Sequence, residues 1–344
     1  MSRCLILLFV VGAAMVNAQA PSVSAPGNGL IVGAGNFFSP IVSKLEQGIA
    51  FYRDGLGLEV TGQPSNADDN PALRDMFGLP GAKLRWTIAR PTGTRNGIEI
   101  IEITQAGGRA LNRRIQDPGA VTLSRWVDEL DPVLMRLKAL GAAVVSKGGA
   151  PVTTGDGGPI QGTIQQVVVR APDGHFVHLS TRGPRTTAAD DARLRLDGRV
   201  RLTVSNYDRA IALYQDALGL RLSTAGYGGG RASLFGIDDD RSKLRFITLD
   251  VPGSAVVLEL MELTGIDRRT VSGSIQDPGS TRMQLQVRDL DAAIQAVVRA
   301  GGSVISTGGK PVELPAGRGA AIRAAIVRDP DNLFLVLIEA RPRP

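Results

Sequence analysis

Apolar residues recur at helical spacing ahead of two near-identical phrases. Leu45, Ile49, Tyr52 and Leu56 fall at i, i+4, i+7 and i+11, and Tyr207, Ile211, Tyr214 and Leu218 repeat that spacing. Each segment therefore predicts a helix with one buried stripe. The helices run into FYRDGLGL at 51–58 and LYQDALGL at 213–220, where Gly57 and Gly219 stop them, because glycine takes the left-handed cap conformation without steric cost. Strands are expected at 58–61, 83–90 and 97–104, with a polar loop near 64–71. A second pass predicts a strand at 121–127, a helix over 132–140 and strands near Ala143, Gln161 and His175. Asp131 before Pro132 reads as the start of that helix, Leu130, Leu134 and Leu137 as its buried stripe, and Gly141 as its end.

The pattern then starts again. Lys83-Leu84-Arg85-Trp86 returns as Lys243-Leu244-Arg245-Phe246, and IEIIEIT from Ile98 as LELMELT from Leu258. IQDPG occurs at Ile115 and at Ile275, and GAAVVSKGGAPV from Gly141 returns as GGSVISTGGKPV from Gly301. Self-similarity at a spacing near 160 positions marks a tandem duplication. Each half reads as two βαβββ modules, so the expected class is α+β with four modules in two domains. The expected divisions are a first domain at 30–181, a linker at 182–194 with Gly183, Pro184 and a Thr-Ala-Asp run, and a second domain at 195–344.

Composition adds targeting and removes several chemistries. Arg3, an apolar run at 5–16 and the small-residue site Ala18-Gln19-Ala20 form the three parts of a secretory signal over 1–20, followed by a Pro/Ser/Gly lead-in at 21–29. The expectation is a secreted or periplasmic protein cut near Ala20. The apolar run is shorter than the ~20 residues needed to span a bilayer, so no transmembrane segment is expected. Cys4 is the only cysteine and lies inside the signal, which leaves the mature chain without disulfide, thiol nucleophile or thiolate ligand. The net charge of +6 falls to +5 without Arg3 and is dispersed, so nucleic-acid binding is not indicated. GYGGG at 226–230 lacks the lysine and the strand-to-helix setting of a phosphate loop and reads as a hairpin or rim loop. No GxSxG elbow precedes a helix.

Two helices ending in FYRDGLGL and LYQDALGL, strand pairs joined by APDG at Ala171 and DPDN at Asp329, and the phrases VDELDPVLMRLKALG from Val127 and VRDLDAAIQAVVRAGG from Val287 resemble the vicinal oxygen chelate superfamily. That group includes glyoxalase I, bleomycin-resistance proteins and extradiol dioxygenases. The resemblance spans almost all of the mature chain and implies paired modules curled into cups around a divalent metal. It implies ligands from the first strand of a module, usually His, and from its last strand, usually Glu. The first-strand positions fall on Phe37, Thr122, Arg199 and Arg282, none of them a usual ligand. The last-strand positions fall on Glu102, His178, Glu262 and Val336. Glu102, His178 and Glu262 are thus the metal candidates, while Phe37, Thr122, Trp126, Arg199 and Arg282 are candidates for contacting a substrate.

Strand parity puts Glu102 with Ile98 and Ile100, and Glu262 with Leu258 and Leu260, so each carboxylate needs a partner that Arg85 or Arg245 on the next strand could supply. The only histidines, His175 and His178, point to opposite faces; His175 is expected in solvent. Sequential pairing of modules would bring His178 to Glu102, and exchanged pairing would bring it to Glu262 and Arg199. The resulting expectation is an exported glyoxalase-like protein that binds a small, anionic molecule in a cup with a degenerate metal site and no cofactor, as a monomer or homodimer. The alternative is a metal-dependent lyase, isomerase or dioxygenase. No catalytic residue is assigned.

Overall fold

In the computed structural model the described residues are 29–66, 70–91, 94, 96–154, 164–182, 198–228, 232–237, 241–315 and 321–339. The segment expected as a secretory signal, nearly all of the expected lead-in and linker, and the end of GYGGG lie outside them.

The chain is α+β and its four modules follow one another as the periodicity implies. Module one holds β1 (Ile31–Ala34), β2 (Ser39–Val42), α1 (Leu45–Ala50), β3 (Glu59–Val60), β4 (Ser65–Asn66), α2 (Pro71–Phe77), β5 (Lys83–Arg90) and β6 (Ile98–Thr104). Module two holds β7 (Val121–Trp126), α3 (Leu130–Ala139), β8 (Ala143–Val144), β9 (Val152–Thr154), β10 (Ile164–Arg170) and β11 (Phe176–Arg182). Module three has β12 (Arg199–Thr203), α4 (Tyr207–Ile211), β13 (Arg221–Gly228), β14 (Lys243–Asp250) and β15 (Val257–Thr264). Module four has β16 (Thr281–Val287), α5 (Leu290–Arg299), β17 (Ser303–Val304), β18 (Val312–Pro315), β19 (Ala321–Arg328) and β20 (Phe334–Glu339).

Both signature phrases open on a wider, π-helical turn, at Phe51–Gly55 and Ala212–Ala217. Tyr52, Leu56, Tyr214 and Leu218 are buried there, and Gly57 and Gly219 take φ of +72° and +84°. Two boundaries differ from expectation. Helix α3 begins at Leu130 rather than Pro132, so Asp131 sits in its first turn instead of capping it. The polar loop is followed by α2, in a stretch with no expected element; Asn70 caps it by accepting from Leu73 N–H at 3.2 Å and Gly78 ends it in the left-handed conformation.

Pairing is exchanged between the halves. One mixed sheet of 11 strands joins module one to module four through antiparallel β2 and β16; the other, of 9 strands, joins module two to module three through antiparallel β7 and β12. On one face of each sheet lie the helices. Their stripes merge with the strand residues beneath them into a single cluster that includes Leu45, Tyr52, Leu137, Val200, Leu213 and Leu290. The opposite face of each sheet is a cup plugged by its own aromatic. Met76 and Phe77 of α2 fill the first, and Leu234 and Phe235 of a 3-10 turn fill the second.

The exchange is imposed by two loops, 105–120 and 265–280, that carry the chain from one sheet to the other and cross on the way. Leu111 N–H donates to Pro278 O at 2.9 Å. Arg109 N–H donates to Asp277 Oδ1, and Arg269 N–H to Asp117 Oδ1, each at 2.8 Å. Asp117 is fully buried and also accepts from Arg114 N–H and its guanidinium at 2.8 and 2.7 Å. The glycine of each IQDPG phrase is needed because the loop presses on a turn of the other half. Gly119 has φ of +83°, and a Cβ there would overlap the Asp331 carbonyl oxygen.

The two tight turns before β11 and β20 dock on these loops. In the second, Asp329 is buried; it accepts from Asp331 N–H, Leu333 N–H and Tyr214 Oη at 2.9, 2.7 and 2.7 Å. Burial, followed by the neighbouring Asp331 charge, pushes its carboxyl up to about 7. An unfolded Asp titrates near ~4, so between about pH 4 and about pH 7 the native state holds a proton that the unfolded state has lost. Stability from this group is therefore full below that range and declines as pH rises through it, by up to about 1.4 kcal/mol per pH unit. In urea unfolding, the stability of the parent minus that of Asp329→Asn should fall across this window and be flat on either side. A gap independent of pH would refute the assignment.

Candidate functional site

Alternation decides which side chains line each cup. In the second sheet Val200, Leu202, Leu123, Leu258 and Leu260 join the helix-side core. Their neighbours Arg199, Arg201, Thr122, Ser124 and Glu259 therefore face the cup. Strand β11 adds His178 and Ser180 from the same face, since Val177 and Leu179 lie in the core. The registers set one row as Phe176, Thr122, Arg201 and Glu259, and the next as His178, Ser124, Arg199 and Val257.

The deepest polar feature of this cup is an ion pair. Arg201 Nε donates to Glu259 Oε1 at 2.5 Å, and Arg199 Nη1 reaches Oε2 at 3.4 Å. Arg201 and Glu259 are 4% and 5% exposed, so neither is solvated. Burial works against the Glu259 charge, yet Arg201 and then Arg199 outweigh it and hold the carboxyl below its usual range, with His178 adding in the same direction. The Arg201 guanidinium also lies 5.3 Å from the centre of the Phe235 ring. Arg199 also faces a second carboxylate, Asp250, which pairs with Val257 at the end of the same row. Arg201 Nη1, Thr122 Oγ1 and Ser124 Oγ are buried with no hydrogen-bond partner among the described residues. His178 Nε2 lies 2.8 Å from Gln166 Oε1 and 3.3 Å from Ser180 Oγ.

The first cup has the same logic with its parts transposed. Glu99 faces it and accepts from Arg282 Nη2, Gln284 Nε2 and Ser39 Oγ at 2.8, 2.9 and 3.3 Å. The Arg282 guanidinium stacks 4.5 Å from the Phe77 ring centre, and burial pulls its pKa down while Glu99 opposes. Here the row reads Phe334, Arg282, Ser39, then Glu99. Arginine and small hydroxyl residue have changed strands relative to the second cup. The cavity that remains is about 150 Å³ and is lined by Trp86, Ile101, Val336 and Ile338 beside the polar group.

The residues singled out from sequence are distributed as follows. Thr122, Trp126, Arg199 and His178 belong to β7, β12 and β11 of the second cup, while Arg282 serves the first. Phe37 is 1% exposed within the hydrophobic core and lines neither cup. Glu102 and Glu262 are corrected to the helix side, because they share a face with Ile98, Ile100, Leu258 and Leu260. Glu102 pairs with Arg85 at 3.0 Å, and Arg85 also holds Glu46 at 2.7 Å. Glu262 lies 3.9 Å from Arg245, which stacks 4.1 Å from the centre of the Tyr207 ring. The carboxylates that do face the cups, Glu99 and Glu259, stand three positions earlier. His175 is corrected as well: it is 2% exposed, donating from Nε2 to Ser280 O at 3.2 Å, and burial lowers its pKa.

The donors in the second cup do not make a divalent-metal cage. His178 and Glu259 share it, but Glu259 is already held by two guanidinium groups, which repel a cation. Among the described residues, no three His, Cys, Asp or Glu side chains gather where they could hold one.

A buried ion pair broken on one side leaves an uncompensated charge, whereas replacing both partners often restores stability. Arg201→Met should cost roughly 3–5 kcal/mol in urea unfolding. The double variant Arg201→Met/Glu259→Met should recover most of that loss.

Residues 198–337 match the model of the Glyoxalase/Bleomycin resistance protein/Dioxygenase superfamily. Glyoxalase I from Zea mays shares the fold with a TM-score of 0.54 at 17% identity, over 90% of this chain and 92% of that one. A glyoxalase family protein from Bacillus cereus aligns at 18% identity over 46% of this chain and 100% of its own, with a TM-score of 0.38. No curated protein matches the chain. No helix among the described residues is long and apolar enough to cross a membrane.

Proposed function

We propose that this chain, which has the fold of the vicinal oxygen chelate superfamily and a glyoxalase-family domain over 198–337, is an exported protein that binds a small organic anion in the second cup. The observation that carries this reading is the set of buried donors without acceptors: Arg201 Nη1, Thr122 Oγ1 and Ser124 Oγ. Buried polar groups are nearly always paired, and a carboxylate or phosphate oxygen supplies the acceptors they lack. Arg199, with a side chain 37% exposed, stands at the entrance and donates a planar fork to an incoming oxyanion. Arg201 is fixed by Glu259 from below, so its remaining N–H groups are oriented before the ligand arrives. Phe235 and Met261 supply apolar wall.

No resident metal belongs to this reading. Its support is the donor set, in which Glu259, the buried cup-facing carboxylate beside His178, is committed to arginine. Export rests on the secretory signal at 1–20. The second reading, a metal-dependent lyase, isomerase or dioxygenase, draws on the meeting of His178 and Glu259 in one cup.

Thermal melting of the mature protein separates the two. Phosphate or a small dicarboxylate should raise Tm, and Arg199→Ala should weaken that binding about ten-fold, the loss of one charge-assisted contact. Zn²⁺, Ni²⁺, Mn²⁺ and Fe²⁺ should leave Tm unchanged. A metal-induced rise that His178→Ala abolishes would transfer the case to the enzyme reading.

A further inference from the structure

The duplication lets one half serve as a control for the other, and a single difference opens a site far from either cup. In the second half Tyr214 Oη donates to Asp329 Oδ2, and the other oxygen of that carboxylate accepts from Asp331 N–H and Leu333 N–H. The corresponding tyrosine of the first half is Tyr52, in FYRDGLGL, and the corresponding turn is APDG. Its residues Ala171, Asp173 and His175 stand where Asp329, Asp331 and Leu333 stand. Ala171 has no side-chain oxygen to offer. Tyr52 is 2% exposed, and its Oη is buried with no hydrogen-bond partner among the described residues.

Leaving a buried hydroxyl unpaired costs about 1–3 kcal/mol, and an acceptor brought by a ligand removes that cost. A cavity of about 380 Å³ lies at this place, lined by Tyr52, Ala171, Asp173, His175, Phe51 and Leu140. In the second half the Asp329 carboxyl stands at the equivalent position, against Tyr214. The Tyr52 ring is held by edge-on contacts with Phe38 and Phe51, at 6.5 and 5.3 Å between ring centres, so the hydroxyl does not depend on the ligand for its position. Asp173 does not compete for it in the way Asp329 does for Tyr214: its Oδ1 is occupied by Ser43 N–H and Oγ at 2.8 and 2.6 Å.

We propose that this cavity binds a small apolar carboxylic acid. Its carboxyl group takes the place Asp329 fills in the other half and receives the Tyr52 hydroxyl and the N–H groups of Asp173 and His175. Its hydrocarbon part lies against Phe51, Ala139 and Leu140. The site is separate from the second cup: it sits on the helix side of the sheets and uses none of the cup residues.

The test uses the mature protein and hexanoate, with acetate as the short homologue. The protein has four tyrosines, so ¹³C-tyrosine labelling resolves them, and Tyr52→Phe identifies the Tyr52 Cζ signal. Hexanoate should shift that signal saturably and raise Tm, and acetate should do so more weakly because it buries less apolar surface. In the Arg199→Ala background, which weakens binding in the cup, Tyr52→Phe should weaken hexanoate binding, followed by calorimetry, about ten-fold. Ala171→Asp should abolish it by supplying the carboxyl internally. The Tyr52 Cζ shift is the readout that belongs to this site alone: it should persist in Arg199→Ala, where hexanoate is held more weakly by the second cup, which keeps the failure of either reading distinguishable. A Tyr52 signal that does not respond, or hexanoate binding of equal strength in Arg199→Ala with and without Tyr52→Phe, would overturn the proposal and leave water as the occupant.

Discussion

Asp117 and Asp277 hold the chain where it must pass from one sheet to the other. Each accepts a backbone N–H from the loop of the opposite half, so the two crossings are mutual and neither loop reaches its place without the other. The buried Asp117 carboxylate is tolerable only because Arg114 and two peptide N–H groups surround it. Once the loops cross in this way, module one has module four as its neighbour and module two has module three. The seams between β2 and β16 and between β7 and β12 then follow, and with them the identity of every residue that shares a cup.

Each cup holds one deeply placed carboxylate, Glu99 in the first and Glu259 in the second, and burial obliges each to find a cation. The two halves meet that obligation differently. Glu259 takes Arg201 from the strand beside it, while Glu99 takes Arg282 from one strand further, across Ser39. Transposition leaves the first cup with one arginine that Glu99 consumes and with apolar neighbours at Val336 and Ile338. In the second cup an additional arginine, two small hydroxyls and His178 remain. Equal scaffolds thus present unequal surfaces.

Much of this was legible in the sequence. The helical stripes ending at Leu56 and Leu218 rest on periodicity, which burial enforces at every turn; the duplication and the resemblance to the vicinal oxygen chelate superfamily rest on recurring phrases such as FYRDGLGL and LYQDALGL. Assigning Glu102 and Glu262 to the cups went wrong for a physical reason: β6 and β15 are apolar on both faces, so parity separates Glu99 from Glu102 without saying which side is hollow. Helix α2 follows the polar loop and is only seven residues long, too short for an apolar stripe to announce it, although Asn70, Pro71 and Gly78 carry a cap, a first-turn proline and a stop. His175 seemed exposed because it follows a turn; its position corresponds to Leu333, which is buried, and that comparison between halves was available. Module pairing depends on contacts between residues more than 150 positions apart, such as Arg109 with Asp277, and no local pattern reports those.

Exchanged pairing also bears on how the chain would behave if it were cut. A break between Arg182 and Gly198 would release two fragments, each holding one half of both sheets and each baring the strands that form the seams. Such edges are sticky. Either fragment alone would be expected to aggregate or to find a second copy of itself, and the two together to reassemble without the covalent tether. The intact polypeptide is in this sense a pair of interdigitated partners on one string, each the folding template of the other.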